Sequence, residues 1–210
     1  MLDSTFFTQI AAEASRFSWV DWVATITAIF YVVLAARENI WCWFWGIISC
    51  SLWAYASFFF YNLWLDALLQ VFYVAMGFAG LYRWKFGQQG QESLPVTRMW
   101  WMHHVHIILV GGVMAFFFGY FFDEYTPAAA TYLDAFTTVF SIITTFILVQ
   151  KKLENWLYWV VIDAIYAYLY ASRGAYLFAV LMVAYTIIAA LAFFRWRHHY
   201  VAGLVTDSSG

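Results

Sequence analysis

Residues 83–85 read Arg-Trp-Lys, and residues 195–197 read Arg-Trp-Arg. Each of these basic tryptophan motifs closes one half of the chain, and the two halves carry similar residues in the same order. The matched pairs are Asp21 with Asp134, Asn39 with Asn155, Tyr73 with Tyr185 and Trp84 with Trp196. A repeat of this kind has to be recognised before any other feature, because it determines how the whole chain is organised.

The composition of the 210-residue chain is that of a membrane protein. Hydrophobic residues make up 65% of it, aromatic residues 24% and charged residues only 10%. A soluble domain carries roughly 25% charged residues, so this chain lacks the side chains for a water-exposed surface. The net charge of -2 is uninformative about partners, and no strongly basic face suggests nucleic acid.

Apolar runs of about 20 residues are long enough to cross the hydrocarbon core of a bilayer. The sequence predicts seven such helices, at residues 19–36, 41–61, 64–82, 100–122, 130–149, 155–171 and 175–194. Residues 1–18 are too polar to span, and their apolar side chains share one helical face, which is typical of an interfacial helix.

These spans predict an all-α membrane protein with a three-plus-one-plus-three layout. The predicted parts are a first repeat at 19–85, a cytoplasmic linker at 86–99, a linker helix at 100–122, a second repeat at 130–197 and a cytoplasmic tail at 198–210, of which 201–210 are expected to be disordered. Because one helix separates two three-helix units, both repeats run in the same direction, about an axis along the membrane normal. A seven-helix receptor would have the same number of spans but no reason to repeat.

Lysine and arginine placement predicts the orientation, since cytoplasmic loops carry an excess of these residues. One set of loops carries Arg37, Arg83, Lys85, Arg98, Lys151, Lys152, Arg195 and Arg197. The opposite set carries only Arg16 and Arg173. The first set is therefore expected to be cytoplasmic, with the N-terminus outside and the C-terminus inside.

Asp163 is the main candidate for a functional residue, because ionisable groups inside a membrane are costly and mark functional sites by default. It lies about two helical turns into the sixth predicted span. Helical spacing places it in a column of polar and aromatic side chains with Asn155, Trp159, Tyr166 and Tyr170. The alternative is a hydrogen bond between helices that only fixes their packing.

A second polar column runs along the third predicted span, through Asp66, Gln70 and Tyr73, and the last span keeps only the tyrosine. The full set of candidate substrate-binding residues is Asn39, Trp43, Trp45, Ser49, Trp53, Gln70, Tyr73, Asn155, Trp159, Asp163, Tyr166 and Tyr185. Hydroxyl residues of the first and fifth spans, among them Thr25, Thr138, Ser141 and Thr145, are interpreted as packing groups.

Metal and enzyme chemistry find little support in the sequence. His103, His104 and His106 lack a carboxylate or cysteine at ligand spacing, so no metal site is expected. No nucleophile–base motif or phosphate-binding loop is recognisable. We therefore expect neither a cofactor nor an enzyme.

The pattern resembles the PnuC-type bacterial vitamin transporters over residues 19–197. The segments that carry the resemblance are 43–49, the Leu65-Asp66 and Leu69-Gln70 pairs with Tyr73, 81–84, 155–159 with Asp163, Tyr185, and Arg195-Trp196. Members of this family often have proline after the tryptophan of the second-helix motif, whereas this chain has Trp45-Gly46.

The resemblance implies facilitated uptake of nicotinamide riboside across the bacterial inner membrane, followed by trapping through a cytoplasmic kinase. It also implies a layout similar to the SWEET sugar transporters. The lack of a dense cationic cluster within the spans argues against a phosphorylated substrate. Thiamine, riboflavin or a sugar remain alternative substrates, a non-transport receptor or scaffold is an alternative class, and a homo-oligomer is an open alternative to a monomer.

Overall fold

The structure, a computed structural model, describes residues 4–87, 94–125 and 131–207. In those ranges it has eight α-helices and no β-strand. The helices are α1 Ser4–Arg16, α2 Trp19–Ala36, α3 Trp41–Phe59, α4 Trp64–Phe86, α5 Trp101–Tyr125, α6 Thr131–Val149, α7 Asn155–Ser172 and α8 Tyr176–Asp207.

Six of the helices, α2 to α6 and α8, are long and apolar enough to cross a membrane. The helix α7 is not among them, although its 18 residues reach the required length. It carries Asn155, Asp163 and several tyrosines, and these polar groups lower its hydropathy. The same residues that make α7 a candidate for function therefore weaken it as an apolar span.

The prediction of a disordered tail was wrong. The helix α8 does not end near residue 194 but continues to Asp207, so residues 201–207 are helical. This part of the chain contains Ala202 and Leu204, which favour helices. The extension also has a contact of its own, since His199 Nδ1 lies 2.7 Å from Glu38 Oε1. Residues 208–210 and most of the predicted linker, at 88–93, lie outside the described residues.

The chain divides into two compact units. Unit 1 comprises Met1–Pro95 and Phe194–Gly210, and unit 2 comprises Val96–Phe193. The helices α1 to α4 and the C-terminal part of α8 therefore belong to unit 1. The helices α5, α6 and α7 and the first part of α8 belong to unit 2.

Three buried tryptophans form the core of unit 1. The rings of Trp43 and Trp84 meet edge to face with centroids 5.3 Å apart, and the Trp84 and Trp196 centroids are 5.9 Å apart. Trp196 Nε1 donates a hydrogen bond of 3.2 Å to the carbonyl oxygen of Ala35, at the end of α2. Aromatic pairs in these geometries stabilise a core beyond the area they bury. This tryptophan cluster therefore links α3, α4, α8 and the end of α2.

At its other end, α2 begins with a capping box. Ser18 Oγ accepts from the backbone N–H of Asp21, and the Asp21 carboxylate accepts from the backbone N–H of Ser18. The Tyr61 hydroxyl also donates to Asp21 Oδ2, at 2.7 Å. Burial, and then the neighbouring Asp21 carboxylate, raise the pKa of Tyr61 to about 12. Tyr61 therefore stays protonated, and remains a donor, at any physiological pH.

In unit 2, the segment before α5 lies along the loop between α6 and α7. The N–H of Thr97 donates to the carbonyl oxygen of Lys151, and the N–H of Leu153 donates back to the carbonyl oxygen of Thr97. Arg98 Nε donates to the buried Glu154 carboxylate at 3.0 Å. Backbone and side-chain bonds together fix this loop at the start of α7.

Four loop residues have positive φ angles, and they occur at matching places in the two halves. Glu38 and Lys151, with φ of 58° and 54°, lie in the loops before α3 and before α7. Asn62 and Gly174, with φ of 57° and 75°, lie in the loops after the same two helices. The two pairs have nearly equal separations along the sequence. Because residues other than glycine rarely adopt this conformation, its recurrence indicates equivalent loops.

These loops define a register between the halves, here called the loop register, which agrees with the pairing of Asp21 with Asp134 and differs from that of Asn39 with Asn155. Asn39 and Asn155 are further apart along the sequence than Glu38 and Lys151 are. Pairing the two asparagines would therefore match Trp43 with Trp159. The loop register of Glu38 and Lys151 instead matches Trp43 with Trp156, and both of these tryptophans are 2% exposed. The two asparagines are not equivalent, because one precedes α3 whereas the other is the first residue of α7.

The tryptophan cluster depends on the absence of a side chain at Gly80. A Cβ at this position would overlap the Trp43 ring, which Trp84 holds on another side. We expect Gly80→Ala to destabilise the protein by about 1–3 kcal/mol through overpacking, despite the better helix propensity of alanine. Gly112→Ala is the control, because nothing lies within 4 Å of its Cβ position. Thermal unfolding in detergent measures both, and equal stability of the two variants would contradict the packing assignment.

Candidate functional site

The helices α6 and α7 of unit 2 are antiparallel neighbours. A loop of only a few residues joins them, and such short connections leave consecutive helices side by side. At the opposite end, Arg173, just after α7, forms an ion pair with Asp134 in the first turn of α6. The start of α6 therefore lies beside the end of α7.

The helix α6 presents chemically different faces to its two neighbours. One face is aromatic and aliphatic, and Gly111 of α5 approaches Phe140 and Ile143 there. The other face bears hydroxyl groups, and three of them lie next to the phenol of Tyr166 on α7. They belong to Thr137, Thr138 and Ser141.

Asp163 lies one helical turn before Tyr166 on α7. Because the two helices are antiparallel, one turn back on α7 corresponds to one turn forward on α6. Asp163 is therefore at the level of Ser141 and Thr144. Its side chain is 7% exposed, and no hydrogen-bond or ion-pair partner for its carboxylate occurs among the described residues.

Three other buried polar atoms of these two helices share that property, two at this level on α6 and one at the start of α7. Within the described part of the chain, Ser141 Oγ, Thr144 Oγ1 and Asn155 Oδ1 have no hydrogen-bond partner. The other end of the Asn155 amide is bonded, since Nδ2 donates to the carbonyl oxygen of Lys152 at 2.6 Å. Buried polar groups are nearly always hydrogen-bonded, so a cluster of open positions needs an explanation.

Aromatic side chains continue the α7 face. Tyr166 and Tyr170 are nearly parallel with centroids 5.9 Å apart, and Tyr170 contacts Phe178 of α8 at 5.4 Å. Trp159 is half-buried on α7, and Tyr185 is half-buried on α8. The predicted column on α7 thus combines an amide, a carboxylate and aromatic rings within one unit.

In unit 1, three of the predicted binding residues have structural contacts instead. Trp43 is inside the tryptophan cluster. Ser49 is buried, and its hydroxyl donates to the carbonyl oxygen of Ala24 at 2.8 Å, which joins α3 to α2. Asn39 is exposed, and its Oδ1 accepts from the backbone N–H of Trp41 at 2.9 Å, just before the first turn of α3.

The other four candidates in unit 1 are half-buried. Trp45 packs at 5.3 Å against Phe30, which is an exposed apolar residue of α2. Trp53 lies on α3, and Gln70 and Tyr73 lie on α4. These last three keep part of their surface accessible, and no contact assigns Gln70 to packing within the described residues.

Sequence reasoning missed Thr137 and Thr144 and interpreted Ser141 as a packing residue. The signal was present, since Thr137, Ser141 and Thr144 have the i, i+4, i+7 spacing of a single helical face. What the spacing could not show is which hydroxyls find a partner. The histidines remain outside this site: His104 Nδ1 lies 2.8 Å from the Tyr158 hydroxyl, and no group of metal-ligating residues occurs in the described ranges.

Comparisons with known proteins point to a family of transporters, although the names of the family and of its relatives differ between the mononucleotide and the riboside. The family described as nicotinamide mononucleotide transporter matches residues 18–198. The nicotinamide riboside transporter PnuC of Escherichia coli strain K12 is 27% identical over 205 residues, with 86% of this chain and 85% of the relative covered. The PnuC of Haemophilus influenzae is 26% identical over 195 residues, with 85% and 79% covered.

The fold also has a solved counterpart. The crystal structure of the vitamin B3 transporter PnuC superposes with a TM-score of 0.70 and covers 94% of this chain and 90% of its own. At 22% sequence identity this likeness establishes the fold, which is that of a helical membrane transporter.

The lack of a partner for Asp163 makes a prediction about stability. Asp163→Asn removes a buried charge without breaking a bond, so we expect an unfolding temperature equal to or above that of the parent protein. Asp21→Asn is the matched change, at a carboxylate that accepts several hydrogen bonds. We expect it to lower the free energy of unfolding by about 1.5–3 kcal/mol. Thermal unfolding in detergent checks both. If both variants lost a similar amount of unfolding free energy, Asp163 would have a stabilising partner.

Proposed function

Because this chain belongs to the nicotinamide mononucleotide transporter family, we propose that it carries nicotinamide riboside across the membrane by facilitated diffusion. The family consists of transporters, so the chain is a multi-pass membrane transporter and not an enzyme. The observation that carries the substrate proposal is the buried Asp163 carboxylate without a partner among the described residues, beside the aromatic rings of α7.

The charge of the substrate favours the riboside over the mononucleotide. All ten lysines and arginines lie outside the stretches 99–150 and 153–172, which contain α5, α6 and α7. A phosphate group that left water there would find no cationic partner, and such desolvation is costly. Nicotinamide riboside has no phosphate, and its pyridinium ring is a cation that a carboxylate can balance.

The roles of individual side chains follow from this chemistry. Asp163 would lie near the pyridinium charge, and Trp159 or Tyr166 would offer a ring face to it. A desolvated cation over an aromatic face gains about 2 kcal/mol. Asn155 stays in the proposed set, because its Oδ1 has no hydrogen-bond partner among the described residues. Tyr185 of α8 also stays in this set, and four half-buried residues of unit 1 stay as separate proposed candidates, namely Trp45, Trp53, Gln70 and Tyr73.

Three candidates leave the proposed set. Trp43 belongs to the tryptophan cluster, Ser49 joins α3 to α2, and Asn39 bonds the backbone at the start of α3. These contacts engage the Trp43 ring, the Ser49 hydroxyl and the Asn39 amide oxygen. The site is therefore proposed without them.

The layout is part of the proposal. The helix α7 would be the seventh span, α2 to α4 and α6 to α8 the two parallel repeats, and α5 the helix between them. The loop register, which also relates Asp21 to Asp134, supports the equivalence of the repeats. The eight-to-two bias of basic residues supports an outside N-terminus and a cytoplasmic C-terminus in a bacterial inner membrane. A cytoplasmic kinase would trap the product, and a homo-oligomer stays an open alternative.

Uptake into proteoliposomes tests the function. We expect labelled nicotinamide riboside to equilibrate by a saturable process whose rate is the same with and without a sodium gradient. Nicotinamide mononucleotide should not compete, and thiamine, riboflavin and glucose should compete weakly if at all. Strict sodium dependence would exclude facilitated diffusion. Preference for the mononucleotide, for another vitamin or for glucose would exclude the proposed substrate.

A change of ligand charge tests the role of Asp163. Asp163→Asn should weaken inhibition of uptake by nicotinamide riboside about tenfold or more, since one unpaired charge in a dry site costs at least about 1.4 kcal/mol. The reduced form, dihydronicotinamide riboside, is uncharged and should bind the variant and the parent equally. Asp134→Asn is the control, because Asp134 is paired with Arg173. An equal loss for both ligands would argue against charge pairing.

A further inference from the structure

Hydroxyl groups in buried helices ordinarily bond to their own backbone. Thr137 Oγ1 donates to the carbonyl oxygen of Leu133 at 2.9 Å, and Thr145 Oγ1 donates to that of Ser141 at 2.8 Å. This bond to the preceding turn is available to any serine or threonine in a helix, and it satisfies the hydroxyl where water is absent. A buried hydroxyl that does not make it is therefore unusual.

Ser141 and Thr144 are two such hydroxyls, on the same helix as the bonded pair. Their side chains are 3% and 0% exposed, and neither oxygen makes a hydrogen bond of normal geometry among the residues that the structure describes, although Ser141 Oγ lies near the Tyr166 hydroxyl. Their spacing along the helix places them on one face of α6. An unmet hydroxyl at this depth destabilises the protein, so its retention needs a compensating role.

The position of the two hydroxyls suggests that role. They lie at the level of Asp163, and Ser141 also lies next to the Tyr166 phenol. Gly111 of α5 approaches Phe140 and Ile143, and Thr144 lies one turn after Phe140, at the edge of that packing face. Neither hydroxyl bonds a described residue of α5, and both lie at the level of the only carboxylate of α7.

We propose that Ser141 and Thr144 bind the sugar hydroxyls of the substrate and make the site selective for a riboside over the free base or a deoxygenated analogue. The inference rests on the proposed function and adds a second recognition element to it. Asp163 and the rings of α7 recognise the cationic base, whereas the α6 hydroxyls recognise the vicinal diol of the ribose. A serine and a threonine can each donate one bond and accept others, which matches a diol that also donates and accepts.

Removal of hydroxyls from the protein and from the ligand tests this assignment. The parent protein should bind nicotinamide riboside at least about tenfold more tightly than its 2′,3′-dideoxy analogue, because the analogue leaves the two hydroxyls without partners. Ser141→Ala and Thr144→Val should each weaken riboside binding about tenfold and leave the analogue unchanged. Competition against labelled riboside uptake in proteoliposomes measures the ratio of the two affinities.

Two controls separate ligand binding from structure. Thr145→Val removes a hydroxyl that is already bonded within α6, so the ratio of affinities should not change. Thr144→Ser keeps the hydroxyl and should keep the ratio. Because Thr144→Val removes an unmet polar group, its unfolding temperature should not fall.

The outcomes are distinct. A parent protein that does not transport nicotinamide riboside overturns the proposed function and this inference with it. If the parent protein transports the riboside while Ser141→Ala and Thr144→Val leave the ratio of the riboside and analogue affinities unchanged, that result overturns only the inference. The same holds if Thr145→Val lowers the ratio as much as Thr144→Val does. The assignment is supported if the ratio of the riboside and analogue affinities falls in Ser141→Ala and Thr144→Val but not in the control variants.

Discussion

The structure depends on one constraint, which is that a polar group inside a bilayer must find its partner within the protein. Most described polar groups meet it locally. Thr145 bonds to its own helix, Ser49 bonds to the neighbouring α2, and Trp196 bonds to the last turn of α2. These contacts leave no need for water. Among the described residues, some exceptions lie on α2, as at Thr25 Oγ1, whereas Ser141, Thr144 and Asp163 lie on the facing sides of α6 and α7 and coincide there with the column predicted from the sequence.

The same constraint explains the basic tryptophan motifs. Trp84 and Trp196 are both buried and in contact, whereas the basic residues on either side of each are exposed, at positions 83, 85, 195 and 197. A helix can do this because adjacent residues point about 100° apart. Each motif therefore joins a buried packing residue to exposed cations. The sequence repeats the motif because both helices meet the same requirement, and Gly80 leaves room for the cluster.

Hydropathy predicted the helices well, because apolar length is a property of the sequence alone. The starts of α2, α3, α4 and α7 fall where they were expected. Side-chain roles were harder to predict. Trp43 looked like a ligand-binding tryptophan, but its surroundings come from α4, a separate helix later in the chain. Asn39 and Asn155 looked equivalent, but only loop geometry revealed the true register. Thr144 was missed because its significance lies in a bond that it does not make.

In the loop register, the two repeats differ in chemistry rather than in plan. Thr137, Ser141 and Thr144 of α6 correspond to Ala24, Ala28 and Tyr31 of α2, so the hydroxyl face exists in one repeat only. On the next helix, Asp163 corresponds to Cys50, and Tyr166 to Trp53. At these matched positions the second half of the sequence thus carries the hydrogen-bonding groups, whereas the first half carries aromatic and apolar side chains. The proposed recognition of both the base and the sugar therefore rests on α6 and α7 alone, because a side chain without hydrogen-bonding groups cannot distinguish a hydroxylated sugar from an apolar group.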